Sequence, residues 1–315
     1  MRHSYLYICC AKNHFSDGWH GKDAADAMHH TNSTMEAFRS LGRNGWDASG
    51  TDANVTVHAA LSGTNSAFFS LYLTTHTQQG AVITPRTTTT YALGAALDVI
   101  AHEWGHGVVF TSAGLPYDDF LYPQASQLHE GFSDVIGHIV EKMMQPGGFG
   151  LEKSSDWHFG EDAFAAGNYV RSASTDDGAG PFRYHRDDTS GGATHHNWGN
   201  MLSVAFYVLS DGATNPWCAS NPNAFGCNAA TSGLGQDAAA RVMFRALTHY
   251  VTSTAEWEDI ADKVKLAAAD LYHNCYASEN RNAEWEQEQV EQAFLSIGYP
   301  SGLGSFEFCP IIPEW

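Results

Sequence analysis

The spacing of apolar and polar residues changes near Tyr91. Before it, short apolar runs alternate with Gly, Asn, Ser and Thr, as in TDANVTVHAALSGTNSAFFSLYL, which predicts a β-containing amino-terminal segment. One stretch departs from this: Ala and Met recur at helical spacing from Asp23 to Arg39, predicting a helix there. From Tyr91 onward, YALGAALDVIAHEWGHGVVF has helical spacing, and Gly114 marks its stop. A second helix is predicted from Gln127 to Met144. A Gly, Ser and Asp-rich stretch follows from Gln145 to Gly192, long enough for a loop to suggest a functional or metal-ordered region. The remaining pattern predicts helices near Asn200 to Leu209, Gly235 to Tyr250, Ala255 to Tyr272 and Glu284 to Ile297. No internal repeat or low-complexity tract interrupts them.

Composition sharpens this picture. With 315 residues, 43% apolar and only 16% charged, the chain is globular and too long for a single small module. Thirty-five acidic residues against sixteen basic ones give a formal charge of −19, which repels phosphate backbones and anionic lipid, so neither nucleic acid nor a membrane is an expected partner. No run approaches the roughly 18 apolar residues of a membrane span. The start, Arg2 followed by SYLYICCA, is interrupted by Lys12 and His14 and is not read as a signal peptide. Of six cysteines, Cys218 and Cys227 bracket WCASNPNAFGC, and Cys275 and Cys309 flank the last helical segment. These spacings suit two loop-closing disulfides and an oxidising compartment, with free thiols as the alternative. Cys9 and Cys10 have no assigned partner.

Seventeen histidines accompany the acids, and two of them stand in His102-Glu103-Trp104-Gly105-His106. On a helix, residues four apart share a face, so both imidazoles can reach one cation, while Glu103 is offset toward a metal-bound water. In a chain this rich in histidine, an HExxH arises by chance with a probability of about 4%, so the third ligand decides. The metzincin form is excluded, because Val109 and Ser112 stand where its Gly and third His belong. The second helix instead offers Glu130 and, one turn later, Asp134 in HEGFSDVIGHIVE. Two imidazoles and a carboxylate leave one of zinc's four positions open for water, the catalytic arrangement. Asp134 would then accept the other ring N–H of a ligand histidine.

These blocks, with VTVHAALSGTNSAFF, SAGLPY, DWHFGED, VRSAS, GGATHHNWGN and FRALTHYVTSTAEW in the same order, resemble the thermolysin-like secreted neutral metallopeptidases from about Asp23 to Pro300. The resemblance implies a two-lobed α+β fold, with a β-rich amino-terminal lobe (1–95), an active-site helix (96–112) and a mainly helical carboxyl-terminal lobe (113–315), the active-site cleft lying between the lobes. It implies one catalytic zinc on His102, His106 and Glu130, with Glu103 as general base and Tyr117 and His195 as oxyanion donors. His196 rivals His195 by chemistry alone, and the register with Asn197 and Gly199 favours His195. Arg171 matches the arginine that holds the substrate's backbone carbonyl, its alternative being a surface ion pair. Asp98, Glu141, Asp156 and Glu161 match calcium ligands, hard oxygen donors for at least one structural Ca²⁺. Val99, Phe159 and Val170 match a pocket for the residue after the cleaved bond, and Ala67 matches the substrate-binding edge strand, where Ser66 stands in place of the family's asparagine with Asn65 one place earlier.

The expected activity is therefore a secreted endopeptidase that cuts peptide or protein substrates before bulky apolar residues. A zinc aminopeptidase is one alternative, although no acidic anchor for a free amino terminus stands near the motif. An inactive, metal-stabilised binding protein is the other. There are departures from the pattern. Between His106 and Glu130 stand 23 residues where the family has about 19, and the extra ones fall in PYDDFLYPQAS, altering the substrate rim more than the chemistry. The family's acidic partner for His195 would fall at Ser190, with Asp187 and Asp188 nearby. His129 replaces a common Asn. The likeness begins inside the family's mature domain, so the signal, the propeptide and the first strands are expected to be missing, as in a fragment or a lineage that lost them.

Overall fold

The computed structural model describes residues 19–51, 54–57, 67–70, 80–83, 93–118, 120–145, 156–163, 169–176, 182–189, 192–272 and 283–304. By contacts the chain divides into two compact units, Met1–Ser112 with Phe132–Ser172, and Ala113–Gly131 with Ala173–Trp315.

In the first unit, helix α1 (Trp19–Ser40) covers the predicted helix. Three short strands follow, β1 (Asn54–Val57), β2 (Ala67–Ser70) and β3 (Gly80–Ile83), in the order β1-β3-β2. β3 runs parallel to β1 and antiparallel to β2. Helix α2 (Leu97–Ser112) ends where the sequence places Gly114, at φ +65°. Its apolar residues are not confined to one stripe: Leu97, Val99, Ile100, Ala101, Trp104, Val108 and Val109 are all buried. A helix that is apolar on most sides lies inside the protein, and α2 packs against both α1 and the sheet. The Trp104 indole N–H reaches Thr31 Oγ1 at 3.2 Å, and its ring lies 6.2 Å from that of Trp46. Asp98, His102 and Glu103 are thereby carried into the interior on this helix.

Helix α3 (Pro123–Met144) starts in the second unit and ends in the first. The long Gly, Ser and Asp-rich stretch contains a two-stranded antiparallel ribbon, β4 (His158–Phe159) with β5 (Arg171–Ser172).

The second unit holds α4 (His195–Asp211), α5 (Gln236–His249), α6 (Trp257–Tyr272) and α7 (Glu284–Ser296), close to the predicted spans. The exception is α4, which starts five residues before the expected Asn200. Thr194 caps it there, its side chain accepting from the Asn197 N–H, so the two histidines after Thr194 form the first turn. Each helix packs on the next, and α4 also meets α7. Cys218 and Cys227 form the expected disulfide, with Cα atoms 5.1 Å apart. Asn215 next to that loop donates to Tyr184 O and Ser296 O, both at 2.8 Å. Cys275 and Cys309, like Cys9 and Cys10, lie outside the described residues. Among those described, no helix is long and apolar enough to cross a membrane.

Candidate metal centre

His102 and His106 rise one turn apart from α2, their rings 4.6 Å apart and edge-on. Between them stands Gly105. A Cβ at Gly105 would lie 3.0 Å from Ser133 Cα, so a glycine here lets α3 come this close. The approach brings two α3 side chains onto the histidines. Ser133 Oγ lies 3.1 Å from His106 Nδ1, and Asp134 Oδ1 lies 2.7 Å from His102 Nδ1. With each Nδ1 engaged by α3, a cation held by these rings is held through Nε2.

Asp134 is shared. Arg171 of β5 donates its Nε to Asp134 Oδ2 at 2.8 Å and its Nη2 to Oδ1, a bidentate pair that is buried. Burial would raise the Asp134 carboxyl, but the Arg171 guanidinium and the His102 bond hold it below the usual carboxylate range. The guanidinium lies over the Phe159 ring at 4.1 Å, and that ring meets His102 edge-on at 5.4 Å. Val99 and Val170 both approach Gly160, next to Phe159. The three expected pocket residues therefore lie together, beside Arg171 and His102.

In the second unit, Glu130 is surrounded by hydrogen-bonding rings. The Tyr117 hydroxyl donates to Glu130 Oε1 at 2.8 Å and lies 2.9 Å from His195 Nε2. His196 Nε2 is 3.4 Å from Glu130 Oε2. Here too, glycines set the approach: a Cβ on Gly131 would lie 2.8 Å from Gly199 O, and one on Gly199 would lie 2.9 Å from Gly131 N. His129 also gains an account, since its Nδ1 meets Leu115 O at 3.0 Å and its ring packs edge-on against Tyr117 at 5.3 Å.

Helix α3 carries Glu130 one turn before Asp134, so both carboxylates share a face. Two groups of His and Glu with donors suited to a metal ion occur among the described residues: His102, His106 and Glu130, and Glu130, His195 and His196. The first fits zinc by donor type, with two imidazoles oriented through Nδ1 and one carboxylate.

The four expected calcium ligands also concentrate charge. Asp98, Glu141 and Glu161 are buried, and Asp156 is half-buried. Burial pushes Asp98 up to about 7, against hydrogen bonds from the Gly160 and Val99 N–H groups. Glu161 is pushed up to about 9 by burial and then by Asp98 and Asp156. Glu141 is raised well above its ordinary value by burial, by its acidic neighbours and by a hydrogen bond with Glu161. Asp156 goes the other way: burial would raise it, but the ring and backbone N–H groups of His158 lower it.

Glu103 is buried on α2, and Tyr117 is about half exposed. Ala67 opens β2, paired with Ile83 of β3, while Ser66 and Ser190 lie outside the described residues. Asp187 lies near Arg186 and His185, and Asp188 is buried with Oδ2 3.4 Å from the Tyr184 N–H. The ion pair of Arg171 is not a surface one, because its partner Asp134 lies inside. Sequence reasoning missed this pair, the Ser133 contact, the His196 contact to Glu130 and the charge that Asp162 adds beside Asp98. Only Ser133 had a readable signal, standing beside Asp134 on the same helix.

Two family models match the chain: the thermolysin metallopeptidase catalytic domain over residues 4–110 and the thermolysin metallopeptidase alpha-helical domain over residues 113–298. Similar curated proteins include a bacillolysin of Bacillus caldolyticus and a thermolysin of Alicyclobacillus acidocaldarius subsp. acidocaldarius, each 28% identical over 284 residues. Each match covers 87% of this chain and 45% of the relative, so the chain spans under half the length of these proteins. Among solved structures, the precursor of protealysin, a metalloproteinase from Serratia proteamaculans, has a similar fold, with a TM-score of 0.64 at 20% identity. That likeness covers 92% of this chain and 81% of the other.

The buried Asp134–Arg171 pair makes a direct prediction. Replacing Arg171 with Met leaves a buried carboxylate without its main counter-charge and should destabilise the protein by about 3–5 kcal/mol in urea unfolding. The double variant Arg171→Met with Asp134→Leu should recover part of that loss. Unchanged stability in the single variant would contradict the pairing.

Proposed function

The chain belongs to the thermolysin metallopeptidase family, and from that premise we propose that it is a secreted zinc endopeptidase of two-lobed α+β fold. The observation that supports this most is the fixing of His102 and His106 through Nδ1 by α3, the helix that also carries Glu130. His102, His106 and Glu130 hold the metal. Zinc, when bound, supplies a Lewis acid for the scissile carbonyl and lowers the pKa of a water.

The chain's own groups do the rest. Asp134 accepts the His102 Nδ1–H, which fixes the ring's orientation and raises its basicity. Glu103, next in sequence to His102, takes a proton from the attacking water and passes it to the leaving amine. The Tyr117 hydroxyl and His195 Nε2 lie 2.9 Å apart, close enough to donate together to one oxyanion. Arg171, held by Asp134 through Nε and Nη2, binds a substrate carbonyl in this reading. Val99, Phe159 and Val170 receive a bulky apolar side chain after the cleaved bond. Strand β2, which begins at Ala67 and stands at the edge of the described sheet, pairs with the extended substrate, with Ser66 just before it.

Asp98, Glu141, Asp156 and Glu161 hold calcium in the same reading. The raised carboxyls support it, because a divalent cation would offset the burial and the mutual repulsion that raise them.

Two measurements test these assignments. Glu103→Gln should lower hydrolysis of an amino-blocked peptide by about 10²–10⁴-fold while zinc content stays unchanged; retained turnover would overturn the mechanism. Blocking the amino end also separates an endopeptidase from an aminopeptidase. For calcium, the sign follows from the raised carboxyls. In the unfolded chain they titrate near about 4, so without a cation the folded state loses stability as pH rises from there through about 7 and about 9. A calcium chelator should therefore lower the melting temperature more at pH 9 than at pH 5. A chelator effect that is absent or independent of pH would remove the calcium assignment.

A further inference from the structure

The segment between Tyr117 and Pro123 displays apolar surface. Phe120 is 92% exposed, Leu121 62% and Tyr122 53%, and with Tyr117 at 54% they put four large apolar side chains into solvent within six positions. Among the described residues, the other exposed large apolar side chains, Phe110, Phe225, Leu271, Trp285 and Leu303, are isolated in sequence, which is ordinary. A concentration of this kind marks a surface that something covers.

The segment is also a constructed turn. Asp118 Oδ1 accepts the N–H groups of Phe120 and Leu121 at 3.0 and 2.9 Å, and the Tyr122 N–H donates to Asp118 O at 2.8 Å. The Asp118 N–H donates to the buried Ser126 Oγ at 2.8 Å, tying the turn to α3. The Asp118 carboxylate is thus engaged in holding the turn in shape. A fixed apolar tip loses little entropy when it is covered.

We propose that this turn is a specificity element of the peptide site, with Phe120 and Leu121 gripping an apolar substrate side chain two or three residues from the cleaved bond. The inference rests on the endopeptidase reading and deepens it. The occupant follows from continuity: the turn springs from Tyr117, whose hydroxyl lies between Glu130 and His195. Three residues span at most about 11 Å, so Phe120 stays within that reach of the Tyr117 backbone. An extended peptide advances about 3.3 Å per residue, so side chains two or three places along lie about 7–10 Å from the bond being cut. The reach of the turn therefore covers those places.

The test uses zinc-loaded protein and amino-blocked octapeptides with one cleavable bond, carrying Leu or Ser two or three places from it on either side. The wild type should prefer Leu over Ser about tenfold in kcat/KM at one of these places. In the Phe120→Ser, Leu121→Ser variant the ratio should fall to about one, and Phe120→Leu should keep it. A ratio of one in the wild type, or a preference that survives the double substitution, would overturn the inference while leaving the endopeptidase reading intact. So would a wild-type dimer in sedimentation that the double substitution dissolves without altering the preference, since the turn would then join two copies of the chain. If the wild type cleaves none of the peptides, the endopeptidase reading fails and this inference falls with it.

Discussion

The carboxylate of Asp134 is the point on which the rest of the centre depends. It accepts His102 Nδ1 and two donors of Arg171 at once, out of contact with solvent. A charge in that position is tolerable only when its oxygens are fully engaged. The engagement in turn fixes the α2 ring that would ligate a metal and the β5 arginine that would face a substrate. Gly105 makes it possible by letting Ser133 come within contact of α2, so one close approach of backbones supplies partners for both histidines.

Four buried acids of the first unit are treated in three ways. Asp134 is matched by a guanidinium and an imidazole and stays ionised. Asp98 takes N–H groups from Val99 and Gly160, but its burial still outweighs them. Glu141 and Glu161 are raised by burial and by the neighbouring carboxyls, and they share a hydrogen bond, which requires a proton on one of them. The same unit therefore holds one carboxylate ionised with its own cationic partners and raises others by burial and mutual proximity.

What was legible in the sequence is what helical periodicity carries. The four-residue spacing of His102 and His106, and of Glu130 and Asp134, fixes which side chains share a face wherever a helix forms. The Cys218 and Cys227 pair was legible because nine positions close a short loop. The Arg171 pairing was not, since its partner lies 37 positions away and β5 has only two residues, too few for any periodicity. Nor did the start of α4 show itself in apolar spacing, because the Thr194 cap and two histidines precede the first apolar turn. Composition ranked last as a guide: seventeen histidines pointed toward metal, but His30 and His138 are buried against other groups, with their pKa values pushed down to about 4 and about 3, chiefly by burial.

The most direct check of the central claim is zinc K-edge X-ray absorption on the purified, zinc-loaded protein. The account predicts one tightly bound zinc per chain, four-coordinate with nitrogen and oxygen donors at about 2.0–2.1 Å, two of them imidazoles, and no sulfur. In a His106→Phe variant one imidazole should disappear from the spectrum. Sulfur ligation, or an unchanged pair of imidazoles in that variant, would contradict the assignment of His102, His106 and Glu130 as the metal site.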